Sequence, residues 1–271
     1  MFPLAIQTTL PPNHQDRRFQ RKLELLRQFG FSGVELNIVQ PEQVDPVALR
    51  HLLGEFDLQM TMFATGGTAK AEGLSLSSSD ERVRRASVQR CMEFVDFAHE
   101  LGAGVIVGYL KGGVSAEPER ARVCFVDSLG EIEPHVRATE VPLLIEATNR
   151  YESAVANTLA DTANLIRGFD NPYLRVLPDT FHMNIEERSL FGALIAQRRL
   201  YDSVHISDNN RFFPGLGGLD FRSILRFLWD SGFEGGVAIE GNVRDRFEQD
   251  LRASMQLLGP VLSLIEGSGP G

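Results

Sequence analysis

The sequence predicts a single (β/α)₈ barrel. Three observations lead there: a length of 271 residues, short apolar runs that alternate with long amphipathic stretches, and the absence of a glycine-rich phosphate loop after the first run. The apolar runs are Leu4–Gln7, Gly33–Leu36, Gln59–Phe63, Val105–Tyr109, Pro142–Glu146, Leu174–Pro178, Ser203–Ile206 and Gly236–Glu240. Between them lie helical patterns such as Asp16–Phe29, Asp80–Leu101 and Glu117–Arg137. A doubly wound sheet would want a phosphate loop after Gln7, where the chain reads TTLPPNHQ.

The junctions agree. Gly30 and Gly33 flank the entry to the second strand, and Gly102 and Gly104 flank the entry to the fourth. Gly232 repeats the device before GGVAIE. Asp80 offers an N-cap ahead of ERVRRASVQR, whose arginines read as a solvated helix face. With no Pro/Ser linker, residues 1–266 form one expected domain, and GSGPG at 267–271 is expected to be a flexible tail.

Composition narrows the function. Hydrophobic residues make up 43% and charged residues 23%, as in a soluble protein with a real core. A formal charge of −9 disfavours nucleic acid, which wants a basic stripe. The lysines are Lys22, Lys70 and Lys111 alone, so an imine-forming enzyme has few candidates. Of these only Lys111 falls near a strand end; it reads as a surface lysine, with contact to a negatively charged substrate group as the alternative. Cys91 and Cys124 fall in helical stretches without a CxxC, which indicates neither disulfides nor a thiolate metal site and points to a reduced, cytoplasmic setting. The start MFPLAIQTTLPP lacks a signal-peptide pattern, and no stretch is apolar enough for a membrane span.

The chemistry concentrates in the last four strands. Glu146 ends the fifth, Asp179 and His182 follow the sixth, His205 lies at the end of the seventh, and Glu240 ends the eighth. Active-site residues of such barrels sit at the C-terminal strand ends. Three carboxylates and an imidazole converging there would repel without a cation, so they read as one divalent metal site. Oxygen-rich ligation with one nitrogen suits Mn²⁺, Mg²⁺ or Co²⁺ better than a thiolate-seeking ion. Taken singly, each residue has a plainer reading: Glu146 and Glu240 as helix caps or arginine partners, His182 and His205 as packing residues. The joint pattern over four strands favours the site. Glu35 reads equally as support for it or as half of a buried ion pair. His14, His51, His99 and His135 lie away from strand ends and read as surface residues. Gly66-Gly67 and Gly112-Gly113 read as loop flexibility, and Phe63, Tyr109, Phe181 and Phe213 as core or as pocket lining.

The segment Asp179-Thr180-Phe181-His182-Met183-Asn184-Ile185-Glu186-Glu187 resembles a signature of the xylose-isomerase-like TIM barrels, in their ketose 3-epimerase and hydroxypyruvate-isomerase-like branch. So do Glu146 with Asn149-Arg150-Tyr151-Glu152, and His205 with Asp208-Asn209-Asn210-Arg211, Pro214-Gly215 and Gly217. Leu74–Ser79 is similar with less specificity. The resemblance covers almost the whole chain. It implies Glu146, Asp179, His205 and Glu240 as metal ligands, Glu146 and Glu240 as the proton-exchanging carboxylates, and His182, Arg211 and Glu152 as holders of substrate oxygens. It implies a cis-enediolate reaction beside a ketose carbonyl, with C3 epimerisation favoured, a small sugar as substrate, and a homodimer or homotetramer. An aldose–ketose or hydroxypyruvate-type isomerase and a dehydratase or lyase use the same groups. An endonuclease IV type enzyme would need more histidines, and a binding-only barrel would not need two opposed carboxylates. Glu240 is followed by Gly241-Asn242 where the ketose epimerases commonly carry Pro-Phe, and Glu146 by Ala147-Thr148, so the particular sugar stays open.

Overall fold

The computed structural model describes residues 2–13 and 16–267. His14 and residues 268–271 of the expected tail lie outside the described residues, and Gly267 is the last residue of the final helix.

Eight strands form one parallel sheet: β1 (Leu4–Thr9), β2 (Gly33–Asn37), β3 (Gln59–Ala64), β4 (Gly104–Val107), β5 (Leu143–Glu146), β6 (Leu174–Leu177), β7 (Ser203–Ile206) and β8 (Gly236–Ile239). Their order is β6-β5-β4-β3-β2-β1-β8-β7. The remaining seam, between β6 and β7, narrows to a bridge of Asp179 with His205 and a bond from the His205 N–H to the Pro178 carbonyl at 2.8 Å. Pro178 has no N–H to continue the ladder, which is why β6 ends at Leu177, one residue short of the sequence expectation. This weak seam sets Asp179 and His205 side by side.

The helices are α1 (Arg17–Gln28), α2 (Pro46–Gly54), α3 (Gly66–Glu72), α4 (Glu81–Leu101), α5 (Pro118–Thr139), α6 (Leu159–Ile166), α7 (Thr180–Glu186), α8 (Leu190–Ala196), α9 (Phe221–Asp230) and α10 (Phe247–Gly267). Aspartates cap many of them: Asp16, Asp45, Asp80, Asp179 and Asp220 accept N–H groups of the first turns of α1, α2, α4, α7 and α9. Gly66-Gly67, read from sequence as flexible loop, instead open α3, with the Gly67 N–H on Asn37 Oδ1 at 2.8 Å. Strand β4 stops at Val107, because Tyr109–Lys111 wind into a 3₁₀ turn rather than continuing the strand. Cys91 and Cys124 are free thiols on α4 and α5.

The main core lies between sheet and helices and holds residues such as Phe63, Phe94, Phe125 and Leu143. A smaller cluster of Ile106, Leu144 and Leu177, with Met62 against it, fills part of the barrel interior. Strand residues two apart share a face. Leu144 therefore sets Glu146 on the inner face above it, and Ala238 does the same for Glu240. Among the described residues, no helix is long and apolar enough to cross a membrane.

Candidate active site

The four residues expected from sequence meet at the C-terminal mouth of the barrel. One ligand atom from each of Glu146, Asp179, His205 and Glu240 lies within 4.8 Å of the others. Asp179 and His205 are fully buried, Glu146 nearly so.

Each is aimed by its surroundings. Asp179 spends Oδ1 as the N-cap of α7, accepting from the Phe181 N–H at 2.8 Å, which turns Oδ2 into the site. His205 is clamped on both nitrogens: Nε2 lies 2.8 Å from Glu35 Oε2 and Nδ1 2.6 Å from Glu240 Oε2. Since Nε2 faces the buried Glu35, Nδ1 is the atom offered to the cluster. A carboxylate behind a ligating imidazole fixes its orientation and basicity. Glu35 is thus both things the sequence left open, a buried ion-pair partner and a support. Beside Glu146, Gly108 leaves room for the carboxylate in its present place, since a Cβ there would push the Glu146 carboxylate aside.

The charge balance is poor without a cation. Glu146 Oε1 is the one buried side-chain polar atom among the described residues with no hydrogen-bond partner. Burial, and then the Glu240 carboxylate, push the Glu146 pKa up to about 8. Burial would also lower the His205 pKa, but Glu35 and Glu240 override it and hold the imidazole well above its usual range. Burial acts upward on Glu240 too, yet Arg211 and His205 hold it well below the usual carboxylate range. An orphaned oxygen facing three more oxygen- or nitrogen-bearing groups fits a hard divalent cation.

Arg211 lies against the cluster itself. Its Nη1 reaches Asp179 Oδ2 at 2.5 Å and its Nη2 reaches Glu240 Oε2 at 3.0 Å. Its backbone sits at φ 64°, unusual for a non-glycine residue. The strain, of order 1 kcal/mol or more, sits in a turn that the Arg211 N–H closes on the Asp208 carbonyl at 2.9 Å, and the Asp208 side chain anchors the loop beyond it. That buried carboxylate accepts the N–H groups of Gly215, Gly217 and Leu219 at 2.8–2.9 Å and ties down the loop. Sequence reasoning quoted Asp208 within a motif but gave it no role.

His182 is buried, with Nε2 3.7 Å from Glu146 Oε1. The Asn149 backbone N–H donates to Nδ1 at 3.2 Å, and Asn149 Nδ2 lies 2.8 Å from the same atom. Asn149 Oδ1 is occupied by the Tyr151 N–H at 3.0 Å, so the amide presents its donor side to the ring. Nδ1 therefore accepts, and neutral His182 carries its proton on Nε2, facing the site. Burial lowers the His182 pKa, which favours that neutral form. Glu152, half exposed, receives the Asn149 Nδ2 proton at 2.9 Å and lies at the rim.

Glu146, Glu152, His182, Arg211 and Glu240 line a cavity of about 160 Å³ with Gln7, Asn37, Thr65 and Tyr109. Lys111 corrects an expectation. Far from being a surface lysine, it is wholly buried, with Nζ 2.7 Å from Thr148 Oγ1 and 3.4 Å from the Gly108 carbonyl. Burial lowers its pKa to about 8, against the pull of Glu146, Glu152 and Glu240. The 3₁₀ turn after β4 points it inward, and nothing in a lone lysine announces that. Of the aromatics, Phe63 and Phe213 are buried, Tyr109 lines the cavity, and Phe181 lies under Arg211 at 5.1 Å. His51 and His135 lie at the surface, on Glu55 and Asp96.

Residues 23–260 match the family described as xylose isomerase-like TIM barrel. Ketose 3-epimerase from Arthrobacter globiformis is 27% identical over 218 residues, covering 79% of this chain and 74% of that protein. 3-Dehydro-D-guloside 4-epimerase from Escherichia coli (strain K12) is 39% identical over 118 residues, 44% of this chain and 45% of that protein. These relatives are named as sugar epimerases, which are isomerase-class enzymes. A solved L-ribulose 3-epimerase shares the fold with a TM-score of 0.80 at 22% identity, over 98% of this chain and 96% of that one. With the barrel, its loaded mouth and a match over most of its length, the chain belongs to the xylose isomerase-like TIM barrel family.

Proposed function

We propose that the chain is a metal-dependent sugar epimerase that inverts a carbon beside a ketone, C3 of a ketose in the favoured case, through a cis-enediolate. One observation carries the reading: two carboxylates, Glu146 and Glu240, face one cavity at the barrel mouth, and Glu146 keeps a buried oxygen there with no hydrogen-bond partner. Glu146, Asp179, His205 and Glu240 would hold one divalent ion per subunit, Mn²⁺ by preference, with Mg²⁺ or Co²⁺ compatible with the same donors. When bound, it supplies positive charge that stabilises the negative charge developing on the carbonyl oxygen.

The residues divide the remaining work. One glutamate removes the proton from the carbon beside the ketone, and the other returns a proton to the opposite face. His182 donates its Nε2 proton to a substrate oxygen, a role favoured by the tautomer that Asn149 imposes. Arg211 donates to a second oxygen, and Glu152 accepts a hydroxyl. Precise placement matters because misalignment of the reacting carbon costs rate steeply. The names of the relatives support an epimerase over an isomerase or lyase. The Escherichia coli relative's name specifies position 4 of a 3-dehydro sugar, which is again a carbon beside a ketone.

We further place the protein in the cytoplasm as a homodimer or homotetramer, for which an apolar groove formed by Phe191, Phe227, Val261 and Leu264 offers a surface. Sedimentation tests that assembly. The function is tested by incubating Mn²⁺-loaded protein with a panel of ketoses in heavy water. Deuterium at the inverted carbon supports epimerisation. Deuterium at the former carbonyl carbon would make the protein an aldose–ketose isomerase, and loss of water would make it a dehydratase.

A further inference from the structure

A second cavity, of about 310 Å³, opens beside the first on the β1 and β8 side of the mouth. Gln7, Asn37, Arg211 and Glu240 line both, so the two are halves of one cleft with Glu240 at their junction. The neutral polar groups Gln7, Thr8, Thr9, Asn37 and Asn242 line the second half, with Phe213 and Phe247 as its aromatic lining. Its other charged lining residue is Lys22, from the middle of α1.

Lys22 has no acidic partner among the described residues. Its Nζ reaches Thr8 Oγ1 at 3.2 Å and stands over the Phe247 ring at 4.8 Å. The charge of the other cation on this cleft, Arg211, is already balanced by Asp179 and Glu240. Burial lowers the Lys22 pKa, as befits a cation partly withdrawn from water with nothing to neutralise it. The chain carries a formal charge of −9, so a half-buried lysine without a carboxylate partner among the described residues, facing a cavity continuous with the reacting centre, is placed to receive an anion.

We propose that this second cavity is a subsite for an anionic group at the far end of the substrate, a carboxylate or a phosphate, held by Lys22 with Thr8 and Thr9. The substrate is then an acidic keto-sugar rather than a neutral ketose. This rests on the epimerase reading, because it sets the reacting carbon between Glu146 and Glu240 and the remote end of the sugar past Glu240.

The test compares D-fructose, D-fructuronate and D-fructose 6-phosphate, which share a carbon skeleton and differ at the end remote from the ketone, together with an uncharged 3-dehydro-D-glucoside. With Mn²⁺-loaded protein in heavy water, kcat/KM for deuterium exchange should be at least tenfold higher for one of the two acids than for D-fructose, chiefly through KM. Whichever acid leads identifies the anion. In Lys22→Met, which keeps the aliphatic stem over Phe247, the acid-to-neutral preference should fall about tenfold, and the salt dependence of KM should fall with it. Calorimetric titration of the same compounds into Glu146→Gln protein reads binding without turnover and should give the same order. Equal use of D-fructose, a preference unchanged in Lys22→Met, or a preference for the uncharged glycoside overturns the subsite. If none of the four exchanges deuterium, the epimerase reading fails, and the calorimetric arm still decides the subsite.

Discussion

The two halves of the barrel contribute differently to its mouth. Strands β5–β8 and the loops after them bring Glu146, Asp179, His182, His205, Arg211 and Glu240, so almost every charge at the centre comes from the second half. Strands β1–β4 present Gln7, Asn37, Thr65 and Gly108 to the same cavity, all neutral. The one acid on strands β1–β4, Glu35, is turned inward behind His205 rather than toward the cavity. The comparison separates two tasks. On the proposed reaction, the second half holds the charge and moves the protons at the reacting centre; the first half shapes the opposite wall, steadies the second half from behind and, at Lys22, would hold the substrate's far end.

Four experiments would break or sharpen that division. The largest effect is expected from removing the metal: dialysis against a chelator should bring proton exchange to background, and added Mn²⁺ should restore it, followed by deuterium incorporation. Exchange that survives a verified metal-free preparation would remove the charge-holding role from the second half. Next, Glu146→Gln and Glu240→Gln should each lower exchange by about 10³-fold while ligand binding, measured by calorimetry, persists. A loss confined to binding would recast them as ligand holders only. Third, Glu35→Gln should weaken metal affinity by roughly 10–100-fold, as loss of a carboxylate behind a ligating histidine does. If affinity is unchanged, the first half does not support the second. The smallest effect is expected at the neutral wall. Asn37→Ala removes an acceptor for the Gly67 N–H and should lower kcat/KM by no more than about tenfold, the worth of one hydrogen bond. A loss comparable to Glu240→Gln would mean that the neutral wall takes part in the chemistry.

Much of this was legible in the sequence, for an identifiable reason. A buried strand is a short apolar run, and a run that ends abruptly in Glu146, Asp179 or Glu240 marks both the strand and its chemically loaded end. Position along a parallel barrel then gives position at the mouth, so four residues far apart in sequence are assigned to one place by strand periodicity and connection order alone. Short elements were less legible. Helices α3, α7 and α8 have seven residues each, too few for a helical period to stand out. Gly66-Gly67 reads as a loop until Asn37, 30 residues away, is seen accepting the Gly67 N–H.

What the sequence determined by itself, then, is the barrel, the order of its strands and the set of ionisable groups at their ends, because these follow from periodicity along the chain. Tertiary structure alone decided what those groups touch. Glu35 meets His205 across 170 residues, Asn149 sets the tautomer of His182, and the Asp208 carbonyl accepts the N–H of Arg211 in its unusual backbone conformation. It decided the two lysines as well: Lys111, read as surface, is buried on Thr148, and Lys22 faces a cavity without an acidic partner among the described residues. A lysine's type says only that it carries charge. Whether that charge is solvated, paired or left waiting depends on the direction of one side chain among neighbours that the chain brings in from distant positions.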